Sequence, residues 1–122
     1  MKTVMVVDDS RIMRNIVKNT FEKLKIPANF IEAADGKQAL DLLMNNEINL
    51  VLLDWNMPNL SGIDFLKLVR SMDKYREIPV IMVTSEADKF HVVEAVKAGA
   101  TSYITKPIKE NILMEKLSRI AF

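Results

Sequence analysis

The sequence predicts an α/β protein of the flavodoxin-like (βα)5 type, in which a five-stranded parallel sheet carries helices on both faces. Short apolar runs rich in Val and Ile alternate with stretches whose apolar residues recur at helical spacing. The 4 prolines all fall between these segments. Because the connections are short, the handedness rule gives a parallel sheet, and five strands favour the order 2-1-3-4-5.

The predicted strands are short and apolar at consecutive positions. This pattern is typical of strands that are buried on both faces of a parallel sheet, so we expect helices to cover all of them on both sides. The strands, in chain order, are Thr3–Val7, Phe30–Ala33, Leu50–Leu53, Val80–Val83 and Ser102–Thr105.

Helical spacing marks the segments between the strands. In the first of them, residues step by four from Ile12 to Leu24. Ser10 and Asp35 are suited to cap the first and second helices, and Gly99 is suited to the left-handed position that ends the fourth. The remaining helical patterns cover Gln38–Met44, Ile63–Met72, Val92–Ala98 and Ile112–Ile120.

Composition limits the class of protein. A chain of 122 residues predicts one domain over 1–122 with a core that needs no disulfides. There is no cysteine and His91 is the single histidine, which argues against thiol chemistry, zinc sites and a serine–histidine triad. A net charge of +1 gives no reason to expect nucleic acid or a membrane surface as partner. No export signal or membrane-length apolar run is found, so a cytoplasmic location is expected.

Polar residues follow the strands at the edge where open α/β sheets bind ligands. Asp8 and Asp9 follow the first strand and Asp54 the third, while Thr84 and Lys106 follow the fourth and fifth. In the predicted order these strands are neighbours, so the side chains should meet. Taken singly, each residue is more simply a cap, a turn residue or a solvated charge. Three converging carboxylates repel one another, however, and Mg²⁺ prefers such oxygen ligands, so a magnesium site is predicted.

The first loop argues against other phosphate-binding designs. Asp8, Asp9 and Ser10 supply none of the glycines of dinucleotide or P-loop folds, and their charge would repel a phosphate unless a metal intervened. What fits is Mg²⁺ held by acids, with one aspartate as nucleophile toward phosphorus. A phosphatase with an aspartyl-phosphate intermediate would need an acid/base aspartate where Asn56 stands, and an inserted cap, so this enzyme class is rejected.

These residues resemble the receiver domains of bacterial two-component response regulators. The resemblance covers essentially the whole chain and implies a single receiver domain without an output domain. Some stretches are similar, more narrowly, to CheY-like single-domain chemotaxis proteins. The residues that carry the resemblance are Asp8-Asp9, Asp54–Asn59, Ser61-Gly62, Met82–Ala87, Lys97–Ala100, Tyr103 and Lys106-Pro107.

The resemblance implies a Mg²⁺-dependent phosphoryl transfer to Asp54 from a histidine kinase. Asp9 would ligate Mg²⁺ directly, Asp8 directly or through water, and Asn56 through its backbone carbonyl, with Asp54 itself the remaining ligand. The chain would then be a signalling switch that catalyses only its own phosphorylation and dephosphorylation. It would not be an enzyme acting on other substrates.

The resemblance also assigns the residues around the acceptor. Thr84 and Lys106 would contact phosphoryl oxygens, and a cis peptide bond before Pro107 would direct the lysine. Asn56 and Glu86 lie where receiver domains vary around the water that hydrolyses the acyl phosphate. Polar residues at these positions imply a short-lived phosphoryl group.

Signal output would come from binding of a target to the face formed by the fourth helix, fifth strand and fifth helix. This face would present Phe90, Tyr103 and Lys116, and movement of Thr84 toward the phosphoryl group would let the tyrosine ring turn inward. The implied partners of this monomer are a CheA-like histidine kinase, the flagellar motor switch and a phosphatase, if one exists. A phosphorelay shuttle or a stand-alone receiver with a non-motor target is the alternative.

The sequence leaves two interpretations open for each of two surface features. Arg11, Arg14 and Lys18 step along the first helix. A solvated face is the first interpretation of this stripe, and docking of the kinase is the second. Phe90 either packs at the edge of the fourth helix or contributes to an interface.

Overall fold

A computed structural model describes residues 1–120 and residue 122. The sheet is parallel with the order β2-β1-β3-β4-β5, which confirms the predicted topology. Its strands are β1 (Thr3–Val7), β2 (Asn29–Ala33), β3 (Leu50–Leu53), β4 (Val80–Thr84) and β5 (Ser102–Thr105). The helices are α1 (Arg11–Lys23), α2 (Gly36–Asn45), α3 (Gly62–Ser71), α4 (Lys89–Ala98) and α5 (Glu110–Ser118). None of the described helices combines the length and the apolar composition needed to cross a membrane.

The strands differ in burial, and the expectation that all are covered on both faces is wrong for two of them. Every residue of β3 and β4 is buried, as are residues Val4–Val7 of β1. The edge strands β2 and β5 leave Asn29, Glu32 and Thr105 exposed. An edge strand has a neighbour on one side only, so solvent reaches side chains that a central strand would cover.

The sheet separates two hydrophobic cores, because successive side chains of a strand point to opposite faces. On one face, Leu43 of α2 and Phe65 of α3 pack with the strand residues Met5 and Leu53. On the other face, the residues of α1 and α5 that pack together with the sheet include Phe21 and Leu113. Helices on both faces therefore leave the carboxyl edge of the sheet open for a site.

The predicted helix boundaries are largely confirmed. The Ser10 hydroxyl accepts a hydrogen bond from the Met13 N–H, and Asp35 caps α2 in the same way. Gly99 ends α4 in the left-handed region with φ 101°. The helical pattern places the start of α4 at residue 92, but the helix begins at Lys89 because Asp88 caps it. The one apolar residue of its first turn, Phe90, is exposed and does not continue the buried stripe, so the pattern misses this turn.

Candidate functional site

The carboxyl ends of β1, β3, β4 and β5 bring the predicted site residues to one edge of the sheet. Asp8 and Asp9 directly follow β1, and Asp54 directly follows β3. One carboxylate oxygen from each of these aspartates lies within 4.8 Å of the others. Thr84 is the last residue of β4 and Lys106 follows β5. The structure thus gathers the residues that the strand order led us to expect together.

Lys106 lies between two of the carboxylates. Its Nζ donates a hydrogen bond to Asp8 Oδ2 at 2.8 Å and lies 3.5 Å from Asp54 Oδ1. The backbone N–H of Lys106 donates to the carbonyl of Thr84 at 2.9 Å, and the peptide bond to Pro107 is cis. The lysine side chain is 15% exposed, so its charge acts on the acidic group with little competition from solvent.

The surroundings of Asp54 disfavour the negative charge of its carboxylate. It is buried, and its Oδ1 accepts a hydrogen bond from the Trp55 N–H at 2.9 Å. Burial raises the pKa of Asp54, and the negative charge of Asp8 raises it further, while Lys106 only partly opposes this effect. The lysine therefore leaves part of the negative charge uncompensated, and a second cation would be stabilised here.

The donor set fits Mg²⁺. The carboxylates of Asp8, Asp9 and Asp54 are hard oxygen ligands, and no cysteine exists in the chain to favour a softer metal. Asp9 is exposed, so a bound ion would remain open to water and to a phosphoryl group. Mg²⁺ commonly keeps several waters and combines one or two carboxylates with phosphate oxygens, which matches this arrangement.

Side chains from two loops meet beside the acidic group. Asn56, in the loop after β3, donates through Nδ2 to Glu86 Oε1 at 3.0 Å. Glu86, in the loop after β4, donates its N–H to the Thr84 hydroxyl at 3.3 Å, and its carbonyl accepts a hydrogen bond from the Tyr103 hydroxyl. Buried Thr84 and half-buried Tyr103 are therefore joined through the backbone of Glu86.

His91 is a neighbour of this region that sequence reasoning did not assign to it. Its ring packs edge-on against Trp55 with centroids 4.7 Å apart, and Nδ1 lies 2.6 Å from Asp88 Oδ2. Glu86, Asp88 and His91 also bring potential metal-ligand atoms together. The contacts with Trp55 and Asp88, however, already account for the position of the histidine as a residue that packs against a ring and hydrogen-bonds to a helix cap. A lone histidine in the first turn of a helix gives no sequence signal for such a contact.

The loop that carries Asp54 is held from α2. Asp35 accepts a hydrogen bond from Asn59 Nδ2 at 2.8 Å, and the Gly36 N–H donates to the Leu60 carbonyl at 3.1 Å. At the start of α3, a Cβ on Gly62 would lie 1.9 Å from the Asp54 carbonyl oxygen, so only glycine permits this approach. The sequence identified Asp35 as a cap but not as a support of the acceptor loop.

The two open surface features now have clear environments. Phe90 is 67% exposed and does not pack into the core, while Lys116 of α5 is half-buried. In the basic stripe, Arg14 and Lys18 both pair with Glu32 of β2 at 2.9 Å, whereas Arg11 is exposed. The interpretation of the whole stripe as a solvated face is therefore wrong for Arg14, whose side chain is 15% exposed.

Comparisons with known proteins agree with this geometry. Residues 4–118 match the response regulator receiver domain family. A chemotaxis protein CheY homolog from Campylobacter jejuni is 44% identical over 118 residues, which are 96% of this chain and 90% of the relative. Chemotaxis protein CheY1 from Helicobacter pylori is 44% identical over 93% of this chain and 92% of the relative. The solved structure of Vibrio cholerae CheY4 superimposes with a TM-score of 0.87 at 32% identity, covering 98% of each chain. This chain therefore belongs to the family of response regulator receiver domains.

Proposed function

We propose that this chain is a response regulator that accepts a phosphoryl group on Asp54 from a histidine kinase and thereby changes its affinity for a target. The observation that carries the proposal is the convergence of Asp8, Asp9 and Asp54, with Lys106 Nζ 2.8 Å from Asp8 and 3.5 Å from Asp54. A nucleophilic carboxylate, a cation site and a fixed ammonium group are the parts that phosphoryl transfer needs.

In the proposed transfer, a carboxylate oxygen of Asp54 forms a bond to the phosphorus of a phosphohistidine. The P–N bond breaks, and the imidazole keeps the electron pair and leaves as the neutral ring after proton exchange with solvent. Mg²⁺ bound by Asp8, Asp9, Asp54 and the backbone carbonyl of Asn56 would supply charge neutralisation at the phosphoryl oxygens. Lys106 provides a second positive charge, which matters because the loose transition state spreads its charge over the equatorial oxygens.

Loss of the signal is proposed to occur by hydrolysis of the acyl phosphate in the same site. Water attacks phosphorus, the P–O bond to Asp54 breaks, and inorganic phosphate leaves. Asn56 and Glu86, which are joined by a 3.0 Å hydrogen bond, are the residues that would set the access and orientation of this water. The chain would therefore act catalytically only on its own phosphoryl group.

The output is proposed to follow from the contacts of Thr84. A phosphoryl group on Asp54 would attract the Thr84 hydroxyl, which now accepts the hydrogen bond from Glu86, and the carbonyl of Glu86 holds the Tyr103 hydroxyl. A shift of Thr84 thus reaches Tyr103 through one residue. It would alter the face of α4, β5 and α5, where Phe90 and Lys116 also lie.

The flagellar motor switch is the proposed target of this face, because the similar proteins from C. jejuni and H. pylori are named chemotaxis proteins. We propose that the chain acts as a receiver domain in partnership with a CheA-like kinase. A phosphorelay shuttle or a receiver with a non-motor target is the alternative. Binding of purified motor switch protein with and without beryllofluoride would separate the two.

The proposal is tested by treating the protein with acetyl phosphate, with and without Mg²⁺, and measuring the phosphoryl adduct by intact mass. We expect a Mg²⁺-dependent adduct that is absent from Asp54→Asn and present in Asp41→Asn, which changes an exposed acid on α2. Peptide mapping should assign the adduct to Asp54. A folded wild-type protein without an adduct, or an adduct that persists in Asp54→Asn, would contradict the proposal.

A further inference from the structure

Arg14 reaches from α1 back to the loop that follows β1. Its Nη1 donates a hydrogen bond to the backbone carbonyl of Asp8 at 2.6 Å. Its Nε donates to Glu32 Oε1 at 2.9 Å, and Lys18 Nζ donates to the other oxygen of Glu32 at 2.9 Å. The guanidinium group is thus held on one side by an edge strand and holds the acidic loop on the other.

The orientation of the Arg14 side chain is fixed by burial and by its hydrogen-bond partners. Its side chain is 15% exposed, and the planar guanidinium can meet two acceptors only in a restricted geometry. The hydrogen bond from Lys18, together with that from Arg14, lowers the pKa of Glu32, so the partner carboxylate stays ionised at neutral pH. A paired and partly buried arginine has less freedom than an exposed one such as Arg11.

The hydrogen bond from Arg14 to the Asp8 carbonyl also restricts the orientation of Asp9. The carbonyl of Asp8 and the N–H of Asp9 belong to one planar peptide unit, so fixing the carbonyl restricts the direction in which the Asp9 side chain leaves the backbone. Asp9 is exposed, so packing does not hold its carboxylate in place. The carboxylate of Asp8 is anchored separately, by the Ser10 N–H at 2.9 Å and Lys106 Nζ at 2.8 Å.

We propose that Arg14 is a positioning residue of the metal site: it clamps the peptide between Asp8 and Asp9 and so presents the Asp9 carboxylate to Mg²⁺. The inference rests on the proposed function, because it takes the acidic group to be a Mg²⁺ site. The change in Mg²⁺ affinity that it predicts on removal of Arg14 is opposite in sign to the change that charge alone predicts. A cation close to an acidic site repels Mg²⁺, so charge alone predicts tighter binding when Arg14 is removed.

The test measures Mg²⁺ affinity directly from the fluorescence of Trp55, which is the only tryptophan and adjoins Asp54. The variants are Arg14→Ala and Arg14→Lys, with Arg11→Ala as a control on the same helix. We expect both Arg14 variants to bind Mg²⁺ about tenfold more weakly, the usual cost of losing a residue that orients a metal ligand. Arg11→Ala should bind as tightly as the wild type.

Arg14→Lys keeps the positive charge but loses the forked geometry, so charge alone predicts no change for it. It also carries the test if Arg14→Ala fails to fold, which circular dichroism would reveal. Unchanged or tighter Mg²⁺ binding by the folded Arg14 variants, beside a normal wild-type response, would overturn this inference and leave the proposed function standing. A wild-type protein that does not respond to Mg²⁺ would overturn both.

Discussion

A single side chain, Asp54, illustrates the conflict between the stability of the fold and the chemistry of the site. Burial and the charge of Asp8 raise its pKa, and Lys106 does not fully offset them. An ionised group in such an environment lowers the stability of the fold, yet the same environment makes the carboxylate receptive to a cation and to an electrophile. The stability cost and the proposed reactivity have one physical cause.

Asp54→Asn should therefore stabilise the metal-free protein at neutral pH, by about 1 kcal/mol in the free energy of unfolding. Because the folded pKa of Asp54 is raised, its ionisation costs stability above that pKa, and this cost disappears as the pH falls through it. The advantage of the variant should thus shrink under acid. Urea unfolding in the presence of a chelator, across pH, measures it.

The exposed Asp41→Asn is the matched control and should change stability little at any pH. A wild-type protein as stable as Asp54→Asn at neutral pH, or a difference that widens as the pH falls, would contradict this assignment.

At the element scale, the start of α2 does more than begin a helix. Asp35 accepts a hydrogen bond from the Gln38 N–H at 2.8 Å as a helix cap and a second one from Asn59 at 2.8 Å. Asn59 lies in the acceptor loop with φ 68°, a conformation that costs energy for most residues but that Asn tolerates. One carboxylate therefore joins a helix terminus to the loop that carries Asp54.

Asp35→Ala should lower the free energy of unfolding by about 1–2 kcal/mol, since it removes a cap and leaves Asn59 without its partner. The hydrogen bonds from Gln38 and then Asn59 lower the pKa of Asp35. Its contribution is therefore present above the unfolded pKa and is lost as the pH falls through the folded pKa. Urea unfolding at neutral and acidic pH checks both parts.

Asp64→Ala, which changes an exposed acid in the first turn of α3, is the control for loss of a negative charge near a helix start. A loss at Asp35 no larger than that at Asp64, or one that does not decline under acid, would mean that the double hydrogen bond adds no stability.

At the scale of the whole molecule, the site joins segments far apart in the chain. Lys106 and Asp8 are 98 positions apart and form a 2.8 Å ion pair, while Asn56 and Glu86 bridge two other loops. A ligand that binds these ends together must stabilise the entire sheet, because it binds the folded chain and not the unfolded one.

Mg²⁺ should therefore raise the free energy of unfolding, by about 2.7 kcal/mol at a concentration 100 times its dissociation constant. Asp9→Ala should lose most of this stabilisation, because Asp9 is the exposed member of the acidic group and its removal leaves the buried core intact. Thermal unfolding over a Mg²⁺ series measures the effect. Equal stabilisation of Asp9→Ala would show that the ion binds elsewhere.

Much of the fold is predictable from local patterns. Apolar runs and helical spacing identify the strands and helices, and the handedness and length of the connections lead to the order 2-1-3-4-5. The same patterns do not distinguish an edge strand from a central one, so they do not predict the exposure of Glu32 and Thr105. The first turn of α4 is missed for a related reason, since its one apolar residue, Phe90, is exposed and does not continue the buried stripe of the helix.

The residues that follow the strands can be identified from local patterns, and the strand order then brings Asp8, Asp9, Asp54, Thr84 and Lys106 to one edge. The contacts that support them are visible only in the folded chain: Arg14 on the Asp8 carbonyl, Asp35 on Asn59 and Glu86 on Asn56. This difference arises because strand ends follow from backbone periodicity and pairing order. A hydrogen bond between distant side chains depends instead on rotamers and on distances of a few tenths of an ångström, which no local pattern encodes.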